Sequence, residues 1–373
     1  MDLLSINAYI IPFGVACAVS MLCTVVVRRF AIRRGIVDRP EEAPDRKRQS
    51  QPVPLLGGVA IFCTLLLVVG GYAFFTDRVL GGYMLPKYLI GMAVAGLLLM
   101  IGGYLDDRFH LTPGKQIIWP VLACLIVIGS GIGVTYITNP FGGTVALDTI
   151  KLQLFSISHI PYYFVVLADL FAFVWLMGMM YTTKFLDGLD GLVSGITTIG
   201  ACVLFFLSIH QDVAQPETAL LAVILAGACA GFLIFNFHPA RIYLGEGGSV
   251  LTGFMLGVLA IISGAKIATA MLVMGIPILD VAWVIVRRLW RGASPFRTAD
   301  LSHLHFRLLD IGMSPRLAVV SLYALSIVFG GAAVFISNSE QKLTALLVLA
   351  AVMLLLIALI VARYHRREKG ETV

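Results

Sequence analysis

Lys87-Tyr-Leu-Ile-Gly-Met-Ala-Val-Ala-Gly-Leu-Leu-Leu-Met-Ile-Gly-Gly-Tyr-Leu-Asp-Asp107 decides the fold class. From Tyr88 to Leu105 it holds no charged side chain. A helix needs about 20 mostly apolar residues to cross the hydrocarbon core of a bilayer, and this run is of that length. It ends on two adjacent carboxylates, Asp106 and Asp107. Acidic groups at a membrane are costly, so they are functional candidates by default.

The rest of the chain repeats the pattern. It has 373 residues, 59% hydrophobic and 13% charged. A soluble domain carries about 25% charged residues, so the ordinary soluble classes are excluded. Eleven segments read as spanning helices: 6–28, 55–76, 87–105, 116–137, 161–182, 191–210, 218–236, 249–265, 267–286, 317–337 and 343–362. The expectation is an all-α polytopic membrane protein, with residues 1–373 forming a single integral membrane domain. In the first segment Ala16-Cys-Ala18 resembles a cleavage site for a signal peptide. No basic segment precedes it, and the apolar run continues to Val27 before Arg28 and Arg29, so it reads as a first transmembrane helix. The six cysteines (17, 23, 63, 124, 202 and 229) lie in apolar runs and form no CxxC, which suits packing better than metal binding.

The net charge of +6 is a topology signal rather than a nucleic-acid signal. Alternate connections hold 22 of the 27 Lys and Arg residues. These are 28–48, Arg108 and Lys115, Lys184, Arg241, 287–316 and the tail 363–369. The other set holds only Arg78, Lys87, Lys151, Lys266 and Lys342. By the positive-inside rule the first set is cytoplasmic, with the N-terminus outside and the C-terminus inside. Among the outer connections only 138–160 is long. Asn139-Pro-Phe-Gly-Gly143 and the alternating run 145–154 predict a small external β-hairpin near 140–156.

The remaining acidic candidates all fall in the cytoplasmic set. Asp187 and Asp190 lie in Phe185-Leu-Asp-Gly-Leu-Asp-Gly-Leu192, and Glu246 lies in Tyr243-Leu-Gly-Glu-Gly-Gly-Ser249. Three residues apart, Asp187 and Asp190 share a face if the segment is helical; a capped helix start is the alternative. Gly188 and Gly191 let backbone approach a ligand. His303 and His305 lie in a basic loop with Arg297 and Arg307. Alternate histidines without a third ligand make a poor zinc site and suit anion contact better. Lys47, beside Arg46, is either a substrate contact or one of many topogenic and lipid-binding cations.

Taken in order, the cytoplasmic connections resemble the polyprenyl-phosphate N-acetylhexosamine-1-phosphate transferases over nearly the whole chain. That family includes the undecaprenyl-phosphate GlcNAc-1-phosphate transferases and, more distantly, the phospho-MurNAc-pentapeptide translocase. The matching segments are Asp38-Arg-Pro40, Arg46-Lys47, Pro52–Gly58, Gly103-Tyr-Leu-Asp-Asp107, Asp187–Leu192 and Phe235-Asn-Phe-His-Pro-Ala240. They continue with Leu244–Ser249, Pro277-Ile-Leu-Asp280 and Ser302-His-Leu-His-Phe-Arg-Leu308. No single one is specific; the ordered set is.

The resemblance implies transfer of a sugar-1-phosphate from a UDP-N-acetylhexosamine to membrane polyprenyl phosphate, with loss of UMP, in the cytoplasmic membrane. It would be the first membrane step of surface-glycan synthesis. It implies catalytic roles for Asp106, Asp107, Asp187, His303 and His305. It implies substrate contacts for Lys47, Lys184, Asp190, Asn236, Tyr243 and Arg307, with Tyr243 stacked on uracil. Glu246 and Asp107 would hold Mg²⁺, with Mn²⁺ as a substitute; such hard cations take oxygen ligands. The implied partners are the two substrates and the bilayer, with no nucleic acid; a homodimer is left open.

Three departures from the family pattern stand out. The family usually reads Asn-Ala-x-Asn-x-x-Asp-Gly-Leu-Asp, whereas here the stretch is Tyr181-Thr-Thr-Lys-Phe-Leu-Asp-Gly-Leu-Asp190. Glu246 stands where Asp is usual, and Gln49 where His is usual. The Lys184 and Glu246 changes read as linked: Lys184 either pairs with Glu246 or holds the sugar diphosphate directly. The alternatives are a phospho-MurNAc-pentapeptide transferase, disfavoured by His303-Leu-His305 in place of three histidines, and a non-catalytic or lipid-sugar transport protein.

Overall fold

Each of the eleven apolar segments folds as helix, but not each as one unbroken span. The computed structural model describes residues 3–42, 51–82, 84–139, 143–157, 160–210, 213–264, 267–290, 292, 303–336 and 339–368. The helices are α1 (Leu3–Arg34), α2 (Gly57–Phe75), α3 (Pro86–Phe109), α4 (Pro113–Gln116), α5 (Ile118–Gly129), α6 (Val166–Leu186) and α7 (Leu192–Ser208). They continue as α8 (Pro216–Asn236), α9 (Gly245–Ile262), α10 (Ile267–Val273), α11 (Gly275–Trp290), α12 (Leu304–Asp310), α13 (Pro315–Phe335) and α14 (Ser339–Glu368). Among the described residues seven helices are long and apolar enough to cross a membrane, or eight if the pair α10–α11 is one span. Helix α7 and the short segment 113–129 are apolar but fall below that length.

Three boundaries differ from the sequence expectation, each for a local reason. The segment expected over 116–137 stops at Gly129, because Gly131 takes φ +95° and turns the chain out of the helix. The segment expected from 161 starts at Val166. Residues 160–165, rich in aromatic and β-branched side chains, pair as a strand instead, and Asp169 Oδ2 accepts the Val165 amide at 2.8 Å where the helix begins. The segment expected over 267–286 bends by 81° around Met274. Pro277 has no N–H to return to the Val273 carbonyl, so the ladder breaks there.

The expected hairpin becomes two. Strand β1 (Tyr136–Thr138) pairs antiparallel with β2 (Thr144–Ala146), and β3 (Lys151–Ile157) pairs with β4 (Ile160–Val165). The alternating run is interrupted because Leu147 turns inward to bury its side chain and its amide bonds the Thr135 carbonyl at 2.8 Å.

Helices α8 and α9 lie at the centre, largely enclosed. Helices α1 and α7 pack on α8, and α3 and α6 pack on α9. The outer helices turn Leu22, Val26, Leu67, Val174 and Val328 outward, the apolar exterior a lipid-facing bundle needs. The first turn of α9 is gripped by backbone. A Cβ on Gly103 of α3 would collide with the Gly247 backbone, and one on Gly58 of α2 with Gly248. Two consecutive glycines thus seat α9 directly against two neighbours. The α2 entrance is pinned as well: Gly57 N bonds Tyr243 O at 2.9 Å, Gly58 N bonds Leu244 O at 2.8 Å, and Tyr243 N bonds Pro54 O at 2.8 Å.

Candidate active site

Chain ends of helices meet at one end of the bundle. Helix α3 delivers Asp106 and Asp107 in its last turn, α6 delivers Lys184 in its last turn and Asp187 as its cap, and α9 delivers Glu246 in its first turn. They open on a cavity of about 820 Å³. Eight expected residues line it: Asp106, Asp107, Lys184, Asp187, Asp190, Asn236, Tyr243 and Glu246. His303, His305 and Arg307 do not line it. Lys47 lies outside the described residues.

The carboxylates differ in what already holds them. Asp106 Oδ1 accepts the Leu111 amide at 2.9 Å and Gln116 Nε2 at 2.8 Å. Asp107 Oδ1 accepts the Glu246 amide at 3.0 Å, at the start of α9. Such an amide is otherwise unpaired in a helix, so the bond serves as a cap delivered from another element. Glu246 forms an ion pair with Lys184, whose ammonium also donates to Gln116 Oε1 at 3.0 Å. The Asp187 carboxylate accepts no hydrogen bond from the described residues, and only the residue's backbone amide is bonded, to Lys184 O. It faces the open cavity, with protein on its other sides. That enclosure, then the charges of Glu246 and Asp190, pushes its carboxyl up to about 7; water in the cavity screens part of the effect.

At the other end of the cavity, Asp190 Oδ2 meets His238 Nδ1 at 2.7 Å and accepts the Ala240 amide at 3.0 Å. Asn236 is buried, and both ends of its amide are engaged: Oδ1 accepts Ser194 Oγ at 2.8 Å and Nδ2 donates to Ile242 O at 3.0 Å. It therefore shapes the wall. Tyr243 is half-buried, and burial, then the negative charge of Asp190, raises its phenol. Arg28, read from the sequence only as topogenic, also reaches the cavity and donates from Nε to Arg241 O at 3.1 Å.

The two histidines stand behind this wall. His303 Nδ1 lies 2.9 Å from Asp280 Oδ2, and Asp280 Oδ1 accepts the Leu304 amide at 2.8 Å. His305 is buried, with neither ring nitrogen partnered in the described structure. Burial pushes its imidazole down to about 3, so it is neutral at any ordinary pH. Its ring packs so close to Gly188 that a Cβ there would collide with it. The sequence left three contributors without roles: Gln116, His238 and Asp280. The last two stand inside matched motifs; Gln116 carries no motif signal.

The donor chemistry fits a hard cation. Asp107, Asp187 and Glu246 offer carboxylate oxygens to one cavity. Among the described residues no three His, Cys, Asp or Glu side chains form a ready-made cage. Mg²⁺ is usually held in that way, by one or two carboxylates together with substrate phosphate.

The model of glycosyl transferase family 4 matches residues 89–264. That segment contains all eight expected cavity residues. A decaprenyl-phosphate N-acetylglucosaminephosphotransferase of Mycolicibacterium smegmatis is 31% identical, over 87% of this chain and 82% of its own length. The chain belongs to glycosyl transferase family 4. Other relatives include a probable undecaprenyl-phosphate N-acetylglucosaminyl 1-phosphate transferase of Bacillus subtilis, 25% identical over 90% of this chain and 87% of the relative. A phospho-N-acetylmuramoyl-pentapeptide-transferase of Pelotomaculum thermopropionicum is 28% identical over 88% of this chain and 96% of the relative. Family membership and a bundle of apolar helices make the protein a multi-pass membrane transferase.

Proposed function

We propose that this family 4 protein transfers GlcNAc-1-phosphate from UDP-GlcNAc to polyprenyl phosphate, releasing UMP, at the cytoplasmic face of the inner membrane. The observation that carries the reading is the convergence of Asp106, Asp107, Asp187 and Glu246, far apart in sequence, on one cavity beside the Lys184 cation. The names of the relatives support the polyprenyl acceptor and the N-acetylglucosamine donor. The basic-residue asymmetry supports a cytoplasmic site, with the N-terminus outside and the C-terminus inside.

Phosphoryl transfer asks a protein mostly for positioning and charge neutralisation. The acceptor is a phosphate monoester with a second pKa near 6, already largely dianionic at neutral pH. One of its oxygens attacks the sugar-bearing phosphorus of the donor. A new phosphoanhydride forms, the old one breaks, and UMP leaves with the bonding electrons. Lys184 faces the negative charge that gathers on the diphosphate. Asp106 and Asp107 orient the acceptor end, Asp190 and Tyr243 the uridine end. Asp107 and Glu246 would hold Mg²⁺, which neutralises phosphate charge when bound.

The test incubates purified protein with polyprenyl phosphate and a series of UDP-sugars, with and without Mg²⁺, and measures UMP and lipid product together. UMP release matched by GlcNAc-diphospho-polyprenol is the expected result. Release only with UDP-MurNAc-pentapeptide would replace the donor; no release with any donor would reject the reading.

A further inference from the structure

Gln116 ends the four-residue helix α4 and lines a narrow pocket of about 20 Å³ behind the carboxylates, together with Asp106, Trp119 and Glu246. Its amide reaches Asp106 directly and Glu246 through Lys184, using different atoms. Nε2 donates to Asp106 Oδ1 at 2.8 Å and to Leu111 O at 3.0 Å. Oε1 accepts Lys184 Nζ at 3.0 Å, and Lys184 is the ion-pair partner of Glu246. Glu246 in turn donates its backbone amide to Asp107. A closed circuit results, Asp106–Gln116–Lys184–Glu246–Asp107, assembled from α3, α4, α6 and α9.

The chemistry restricts the residue type here. A protonated lysine only donates and an ionised carboxylate only accepts. A side chain between them must accept on one side and donate on the other while carrying no charge. Glutamine does this, and the two neighbours fix which way its amide points. Its Nε2 and the Leu111 amide together occupy Asp106 Oδ1, which leaves Oδ2 as the oxygen available to the cavity.

We infer that Gln116 is a positioning residue of the transferase: it holds the Lys184 ammonium on the Glu246 side and turns a single oxygen of Asp106 to the acceptor phosphate. The inference rests on the proposed reaction. It couples the donor end of the cavity to the acceptor end through one neutral amide.

Two variants separate this from a merely structural role. Gln116→Glu keeps an acceptor for Lys184 but sets a second carboxylate against Asp106, next to where the acceptor phosphate docks. It should raise the KM for polyprenyl phosphate about tenfold or more, the scale of one charge-assisted hydrogen bond, and leave the KM for UDP-GlcNAc nearly unchanged. Gln116→Leu removes both bonds and should lower kcat by a similar factor. In a Lys184→Met background the same Gln116→Leu change should cost less, because the Lys184 bond is already gone and only the bond to Asp106 is left to lose. Thermal midpoints of all variants check folding, and the split in KM stands even if Gln116→Leu does not fold. Equal rises in both KM values, wild-type kinetics for Gln116→Leu, or an undiminished effect in the Lys184→Met background would each overturn the proposal. A wild-type protein that releases no UMP would instead overturn the transferase reading on which it rests.

Discussion

Lys184, in the last turn of α6, forms an ion pair with Glu246, in the first turn of α9. Both stand where the resemblance implies other residues, and the ion pair brings the two changes into direct contact. The longer Glu side chain reaches the ammonium, and the lysine brings a fixed positive charge to the place where a diphosphate must be neutralised. Both side chains are mostly shielded, so removing either partner leaves a poorly solvated charge behind.

Lys184→Asn is therefore expected to impair turnover, and Glu246→Gln to abolish Mg²⁺-supported activity, since a neutral amide is a weaker ligand for a hard cation. Lys184→Asn combined with Glu246→Asp should regain part of the loss by restoring the usual family arrangement. A double-mutant cycle on kcat/KM measures that coupling. Strictly additive effects would show the two positions to be independent.

Tyr243 is held by backbone bonds on both sides, to Pro54 and to Gly57, so its main chain is fixed at the cavity edge. Stacking of a base on an aromatic ring is worth roughly 1–3 kcal/mol. Tyr243→Ala should raise the KM for UDP-GlcNAc about tenfold on that scale, with a smaller effect on the KM for the lipid. Titration of both substrates in steady state decides it; an unchanged nucleotide KM rejects the assignment.

Asp187 is expected to give the protein a pH-dependent stability, reduced by the water that reaches its exposed carboxyl. Its folded pKa, about 7, lies above the unfolded value of roughly 3.9. A raised carboxyl favours the folded state fully below the unfolded pKa, and that contribution is lost as pH rises through about 7. Asp187→Asn should therefore raise the thermal midpoint of metal-free protein at pH 8, and the gain should shrink towards pH 5. Scanning fluorimetry at both pH values provides the check. A gap of equal size at the two would mean that Asp187 is ionised throughout.

The shared cavity demands a shared side of the membrane. Single cysteines introduced within 31–53, 106–115, 183–190, 237–248 and 288–316 should all be reactive from the cytoplasm. Those in the hairpins at 143–157 should be reactive from outside. Labelling with an impermeant maleimide in intact cells and in inverted vesicles measures this. One of the five segments labelled from outside would break the proposed topology.

Much of this was legible in the sequence because it rests on local pattern. Hydrophobic runs located the helices, and carboxylates at their ends located the cavity. The breaks were harder to read: Gly131 and Pro277 sit inside runs that remain apolar across them, so hydropathy alone passes over the turn and the bend. The Lys184–Glu246 pair was readable because two unusual residues appear in one chain. Gln116 was not, since a glutamine beside Lys115 acquires meaning only when α3 and α6 close around it. For the same reason the sequence does not show that His303 stands off the cavity, or that Asn236 lines it with its amide already engaged: their partners, Asp280 for one and Ser194 and Ile242 for the other, are supplied by tertiary contacts.

The glycine contacts at the start of α9 have a consequence for how the enzyme meets different membranes. Helices answer a thicker or thinner bilayer by tilting. In its first turn α9 meets α2 and α3 backbone against backbone, at Gly248 on Gly58 and Gly247 on Gly103. No side chain there can flex to absorb a tilt, so the tilt must be taken up at the far ends of the helices. The spacing of Asp107 and Glu246 is thereby insulated from lipid chain length. Activity in vesicles of short- and long-chain lipids should vary little for the native protein. In Gly103→Ala, which wedges the seam open, it should become sensitive to bilayer thickness.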